Sequence, residues 1–171
     1  MAPYINESYE LRERVRLYVY LCMMVIPILV AFLVFFNTVA HRPVFDVLNI
    51  VIVGIMFLML FGVFLTSLGY YNSAVSVFSL AVMVGLIFNA LSTDMKGSGG
   101  RFVASMYAFM MPIFFSILFC KRATYVAVWM LGVVGTVYCT TISKSVEVEV
   151  KGIILGSMGI TLIITFIIGF I

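Results

Sequence analysis

The feature that most constrains this chain is a series of six long apolar runs, each separated from the next by a short polar segment. A helix needs about 20 apolar residues to cross roughly 30 Å of hydrocarbon, and about 17 to 25 are tolerated. Strands of a membrane barrel alternate at period two and are only about 10 residues long, whereas these runs are apolar on every face. The pattern therefore predicts six membrane-spanning helices, at about residues 17–36, 47–68, 74–91, 102–119, 125–142 and 153–171.

Composition indicates that lipid is the solvent for most of this chain. Hydrophobic residues make up 64% of the 171 residues and charged residues only 10%, whereas soluble domains are about a quarter charged. One aqueous core of this size could not bury so much apolar surface. We therefore predict an all-α integral membrane bundle, with residues 1–171 forming one six-helix domain and residues 1–16 a cytoplasmic or interfacial lead-in.

Charge bears on partners and on orientation. The net charge of +3 is small and dispersed, so nucleic acid is not an expected partner. Three arginines, Arg12, Arg14 and Arg16, precede the first span, which usually dominates topology. We therefore predict a multi-pass protein of the cell inner (plasma) membrane with a cytoplasmic N-terminus. Glu10 and Arg14 stand at the i, i+4 spacing, which fits an interfacial helix or a solvated lead-in equally well.

The residues needed for most intramembrane chemistry are missing from the predicted spans. None of the six contains Asp, Glu, Lys, Arg or His, which ion-driven transporters and acid–base catalysts usually require. The three cysteines, Cys22, Cys120 and Cys139, lack CxxC spacing, and the one histidine, His41, falls in a predicted turn. We therefore expect no cofactor, no metal and no catalytic site in this region. Transport of a neutral solute stays open.

The most promising polar residues flank the segment between the third and fourth spans. We predict Asn89, Asp94, Lys96 and Arg101 as candidate ligand-facing residues at the outer end of the bundle. The segment Ser92–Arg101 contains three glycines, so we expect a flexible loop that can approach a ligand closely. The alternative is structural, because polar residues within membrane bundles commonly hydrogen-bond between helices.

Small residues suggest two close helix contacts. Gly152 and Gly156 form a small-xxx-small pair on the last span, and Gly159 lies one turn further on. This face could pack within one bundle or against a second copy in a homodimer. A similar stripe on the fifth span comprises Gly132, Thr136 and Thr140.

Two prolines lie inside predicted spans, Pro27 in the first and Pro112 in the fourth. Proline lacks a backbone donor and clashes with the carbonyl four residues earlier. We therefore expect each to kink its helix.

The sequence stops at Ile171 inside an apolar run. Natural last spans usually end in interfacial or charged residues. We therefore expect the chain to be the front part of a longer protein whose remainder lies in the cytoplasm.

Two segments carry a resemblance to a known class, RPVFDVLNIVIVGIMFLMLFGVFLTSLGYYNSA and GGRFVASMYAFMMPIFFSILFCKRATYVAVWMLG. With the turn Tyr70–Tyr71–Asn72 and the basic turn Lys121–Arg122, the chain resembles the six-helix N-terminal membrane modules of bacterial sensory transducers. Such modules precede methyl-accepting chemotaxis domains, histidine kinases or class III adenylate cyclases. The resemblance covers essentially the whole chain. It implies a homodimeric sensory input and anchor whose last helix passes a small motion to a cytoplasmic signalling domain of the same chain.

Two other functions compete with the sensory one. A small multi-pass transporter or channel subunit predicts a water-filled path lined by the polar residues of the spans. A structural subunit of a larger membrane complex predicts a lateral face that a partner covers.

Overall fold

A computed structural model describes residue 4 and residues 8–38, 47–95, 99–144 and 146–171. This part of the chain is helical apart from short turns and contains no strand. Six of its helical segments are long and apolar enough to cross a membrane, so the predicted all-α bundle of six spans is confirmed and the chain is a multi-pass membrane protein. The helices are α1 (Tyr9–Thr38), α2 (Val47–Ser67), α3 (Tyr71–Met95), α4 (Gly99–Ala108), α5 (Met110–Phe119), α6 (Arg122–Ile142) and α7 (Val148–Phe170).

Several helices extend beyond the apolar runs that predict them. Helix α1 begins at Tyr9, so the lead-in forms its first turns, where the Arg14 guanidinium meets the Glu10 carboxylate at 2.7 Å. Helix α7 begins at Val148, five residues before the predicted span. Backbone hydrogen bonds continue past the hydrocarbon, because a helix satisfies its own polar groups in either medium.

The two intramembrane prolines behave differently. Helix α1 continues through Pro27, whereas the fourth span is interrupted at Phe109, three residues before Pro112. Pro112 cannot donate to the carbonyl of Ala108 and its ring crowds that carbonyl. The Phe109 amide turns instead to the Met106 carbonyl at 3.1 Å. The predicted distortion is therefore seen as a break between α4 and α5.

The contacts divide the chain into two compact units, which we call the N-terminal unit (Met1–Phe78) and the C-terminal unit (Ser79–Ile171). In the N-terminal unit α1 packs on α2. The Tyr18 side chain is fully buried and its hydroxyl lies over Gly62, where an added Cβ would collide with it. Near the other end of this helix pair, the Asn49 side chain donates to the Asn37 side chain at 2.9 Å.

The C-terminal unit contains a continuous core between the second part of α3 and helices α4 to α7. Phe102, Phe109 and Ile113 are fully buried in it. Gly132 permits the close approach of α5 and α6, because a Cβ there would lie 2.8 Å from the Ile113 methyl group. The stripe on the fifth span is thus packed inside this unit, and its other two members are buried as well: Thr136 and Thr140.

Candidate functional site

Asp94 lies at the centre of the most elaborate polar arrangement in the C-terminal unit. It is in the last turn of α3, and its carboxylate accepts from the Ser143 hydroxyl at 2.6 Å and from the Lys144 amide at 3.1 Å. Ser143 is 3% exposed, and its carbonyl accepts from the Lys151 ammonium. We call Asp94, Ser143, Lys144 and Lys151 the Asp94 network. It connects the end of α3, through the turn after α6, to the first turns of α7.

The electrostatics of this network explain its composition. Carboxylates are unfavourable at the negative C-terminal ends of helices, and Asp94 is near the ends of both α3 and α6. The Ser143 hydroxyl and the Lys144 amide supply the donors that the carboxylate needs. Lys151 adds a cation at the last carbonyls of α6, where positive charge is favourable. The arrangement is therefore held together by charge and hydrogen bonding rather than by apolar packing.

The predicted ligand-facing residues are only partly brought together. The Asn89 side chain donates to the Ser105 hydroxyl at 3.2 Å, linking α3 to α4 one turn below Asp94. Arg101 is exposed in the first turn of α4, and its guanidinium makes no hydrogen bond or ion pair with the described residues. Lys96 lies outside the described residues.

The predicted flexible loop over Ser92–Arg101 is wrong where the structure describes it. Residues 92–95 continue α3 and residues 99–101 begin α4. The Ser92 and Thr93 hydroxyls donate to the Asn89 carbonyl at 3.1 and 2.8 Å, as serine and threonine side chains do within helices. These residues are therefore helical, which polarity alone did not predict.

A second arrangement joins α6 to the end of α7. The side chains of Arg122, Tyr125 and Trp129 donate to backbone carbonyls of α7 at 3.0, 2.7 and 2.9 Å. Their spacing of three and four residues places them on one face of α6. We call these three side chains the C-terminal clamp. The acceptors are the carbonyls of Phe170, Thr165 and Leu162.

Ring contacts reinforce the clamp. The Trp129 and Phe166 ring centroids are 4.8 Å apart, and the Arg122 guanidinium lies 4.7 Å from the centroid of the Phe170 ring. Gly169 makes the approach possible, because a Cβ there would collide with the Tyr125 ring. Helices α6 and α7 are therefore tied at one end by the clamp and at the other by the Asp94 network.

The glycine face predicted on the last span is open. An added Cβ at Gly152, Gly156 or Gly159 would meet no described atom within 4 Å. The buried residues of α7 lie elsewhere on the helix, and Ile154 and Met158 among them belong to the core of the C-terminal unit. Within the described part of the chain the glycines therefore do not serve intramolecular packing.

Three members of the Asp94 network were not predicted from the sequence. Ser143, Lys144 and Lys151 belong to the polar segment between the fifth and sixth spans, which carries both acids and bases. One signal was available, because spans that alternate in direction bring this segment to the same membrane side as Asp94. Which of its residues would face Asp94 depends on helix rotation, which an apolar run does not specify.

Other kinds of site receive no support in the described residues, where no group of three His, Cys, Asp or Glu side chains could hold a metal ion. Comparison with known proteins adds no family: no protein-family model matches the chain, and neither curated proteins nor solved structures give a match.

Proposed function

We propose that this chain is the membrane-embedded sensory input and anchor module of a bacterial signal-transduction protein. In this proposal it works as a homodimer in the inner membrane, with a cytoplasmic N-terminus, and passes a signal from the outside or from the membrane to a cytoplasmic signalling domain of the same chain. The observation that carries the proposal is the Asp94 network. It connects a predicted ligand-facing residue to the first turns of the last helix by direct hydrogen bonds.

The physical requirement of a sensor is that two arrangements of the bundle differ in their affinity for a stimulus. The Asp94 network suits this role because its bonds are polar and several of its members are partly exposed. A stimulus that competes for the Asp94 carboxylate would release the turn before α7. The C-terminal clamp would then make α6 and α7 move together, since three side chains bind α7 near its end.

The spans themselves favour a sensor over an ion-coupled transporter. No ionisable residue falls within the six predicted apolar runs, whereas coupled transporters normally hold such residues near the middle of the membrane. Several buried hydroxyls in the C-terminal unit bond to the backbone of their own helix; Thr136, for example, donates to the Gly132 carbonyl at 2.7 Å. Such hydroxyls are not directed into a polar path.

The test measures whether a change at Asp94 reaches the far end of α7. A spin label at Ile168→Cys, an exposed position, would report the distance between protomers in lipid nanodiscs by pulsed electron paramagnetic resonance. The native cysteines are buried, so background labelling is low. We expect Asp94→Asn to shift the distance by about 1–2 Å, the size of interfacial helix shifts in switching proteins.

The matched control is Glu147→Gln, which removes a negative charge from an exposed position just before α7. We expect it to leave the distance unchanged. The proposal fails if Asp94→Asn also leaves the distance unchanged, or if no distance between protomers is found. Solute-selective flux into liposomes that persists in Asp94→Asn would favour a transporter instead.

A further inference from the structure

Tyr4 forms a bridge between two helix ends in the N-terminal unit. Its hydroxyl donates to the Thr66 carbonyl at 2.9 Å and accepts from the Tyr71 amide at 3.1 Å. Thr66 is in the last turn of α2 and Tyr71 is the first residue of α3. Tyr4 itself is only 4% exposed. One hydroxyl therefore serves both sides of the α2–α3 turn.

Helix ends are where such a bridge matters most. The last carbonyls and the first amides of a helix have no partner within the helix. Thr66 and Tyr71 are each 2% exposed, so water has little access to them. The turn between them is tight, with Gly69 at φ 96°, a conformation that favours glycine. The Thr66 carbonyl also accepts from the Gly69 amide at 3.0 Å within the turn, and the Tyr4 hydroxyl adds a bond that joins the two buried helix ends.

The surroundings of Tyr4 form a cluster of tyrosines. The Tyr71 ring packs edge-on against the Tyr18 ring, with 6.0 Å between centroids, and Tyr18 is fully buried. The Thr66 hydroxyl donates to the Gly62 carbonyl at 2.8 Å, which fixes the last turn of α2. Each partner of Tyr4 is therefore held in place by a contact of its own, and the hydroxyl bridges two fixed positions.

We propose that Tyr4 is a conformational lock on the α2–α3 turn, and that its hydroxyl holds the start of α3 against the end of α2. Withdrawal of this side chain leaves a buried carbonyl and a buried amide without that partner and loosens the turn. The lock does not depend on the sensory proposal.

The experiment follows the Tyr71 amide directly. The chain has nine tyrosines, so selective ¹⁵N-tyrosine labelling in nanodiscs gives a small set of amide signals, with Tyr71 assigned from Tyr71→Phe. In Tyr4→Phe we expect hydrogen exchange at the Tyr71 amide to accelerate about tenfold, because loss of the buried hydrogen bond to the Tyr4 hydroxyl favours opening by about that factor. The Tyr125 amide, bonded within α6 to the Lys121 carbonyl at 3.0 Å, should keep its rate.

Two variants make the result decisive. Tyr9→Phe removes a hydroxyl from a side chain that is 73% exposed and should leave the Tyr71 rate unchanged. Tyr4→Leu removes the ring as well and should accelerate exchange at Tyr71 at least as much as Tyr4→Phe. The lock is overturned if Tyr4→Phe keeps full protection, whether or not Tyr4→Leu loses it. It is also overturned if the Tyr71 and Tyr125 amides accelerate together, since that indicates general loosening.

Discussion

The two units of this protein are both built from apolar helices, but the most deeply buried helices lie in the C-terminal unit. In the N-terminal unit, 11% of the most apolar window of α1 and 22% of that of α2 are buried. In the C-terminal unit, the corresponding shares are 50% for the span of α4 and α5 and 39% for α6, whereas α7, at 22%, is buried no more than α2. The most apolar helices are therefore among the least buried.

This difference has a simple cause in the solvent. A face that meets lipid must be apolar, whereas a buried face can hold polar groups that find partners. The C-terminal unit accordingly buries Ser116, Thr136 and Thr140, while α1 presents large side chains such as Met24 and Phe32 on its surface. In a membrane protein, hydropathy identifies the spans and polar residues give the better indication of the core.

The largest expected change in the free energy of unfolding comes from removing a buried aromatic side chain. Phe102→Ala, at a fully buried position of α4, should lower the free energy of unfolding by about 3 kcal/mol, near the lower limit for soluble cores. The transfer contribution is small in lipid, and the loss of packing remains. Phe57→Ala in α2, where the ring is 67% exposed, is the matched control. Unfolding in mixed detergent micelles measures both, and equal losses would remove the contrast between the units.

Overpacking a helix contact should have the next largest effect. Gly132→Val places a Cβ 2.8 Å from the Ile113 methyl group and 3.3 Å from the Met83 methyl group. It should lower the free energy of unfolding by about 2 kcal/mol. Gly54→Val in α2 introduces the same side chain where no described atom lies within 4 Å. Since both changes carry the same helix propensity, the difference between them reports packing alone. A Gly54→Val loss as large as that of Gly132→Val would mean that α2 is covered in the membrane.

Removal of a clamp hydroxyl should have a smaller effect. Tyr125→Phe removes the hydrogen bond to the Thr165 carbonyl at 2.7 Å and should lower the free energy of unfolding by about 1 kcal/mol. Tyr20→Phe in α1, whose side chain is 61% exposed, should cost close to nothing. Exchange protection of the amides near the end of α7 would show where the loss is felt. Unchanged protection there would contradict the clamp.

The smallest effect compares one polar pair from each unit. Asn37 with Asn49 joins α1 to α2 at 2.9 Å, and Tyr107 with Ser157 joins α4 to α7 at 2.8 Å. Double-mutant cycles on unfolding should give a coupling of about 0.6 kcal/mol for each, the average for hydrogen bonds between membrane helices. A much larger coupling energy for the asparagine pair would show that polar contacts compensate for the small buried area of the helices in the N-terminal unit.

Sequence patterns predicted the spans well and the contacts poorly. The six apolar runs coincide with the six helical segments, and the break near Pro112 follows from its missing donor. Two similar small-residue stripes, however, differ in whether they are packed against another helix. Gly132 is packed against Ile113, whereas Gly156 faces no described atom within 4 Å. Spacing alone cannot separate these cases, because small residues permit close approach without specifying a neighbour.

The sequence by itself determined that the chain spans a membrane six times as helices, because apolar runs of this length have no other stable state in lipid. Only the tertiary structure decided which face of each helix is buried. Lipid and protein core are equally apolar, so a helix that is apolar all round carries no stripe that identifies its inner face. For the same reason the pairing of Asp94 with Ser143, and of Tyr4 with the α2–α3 turn, emerged only from the packed helices.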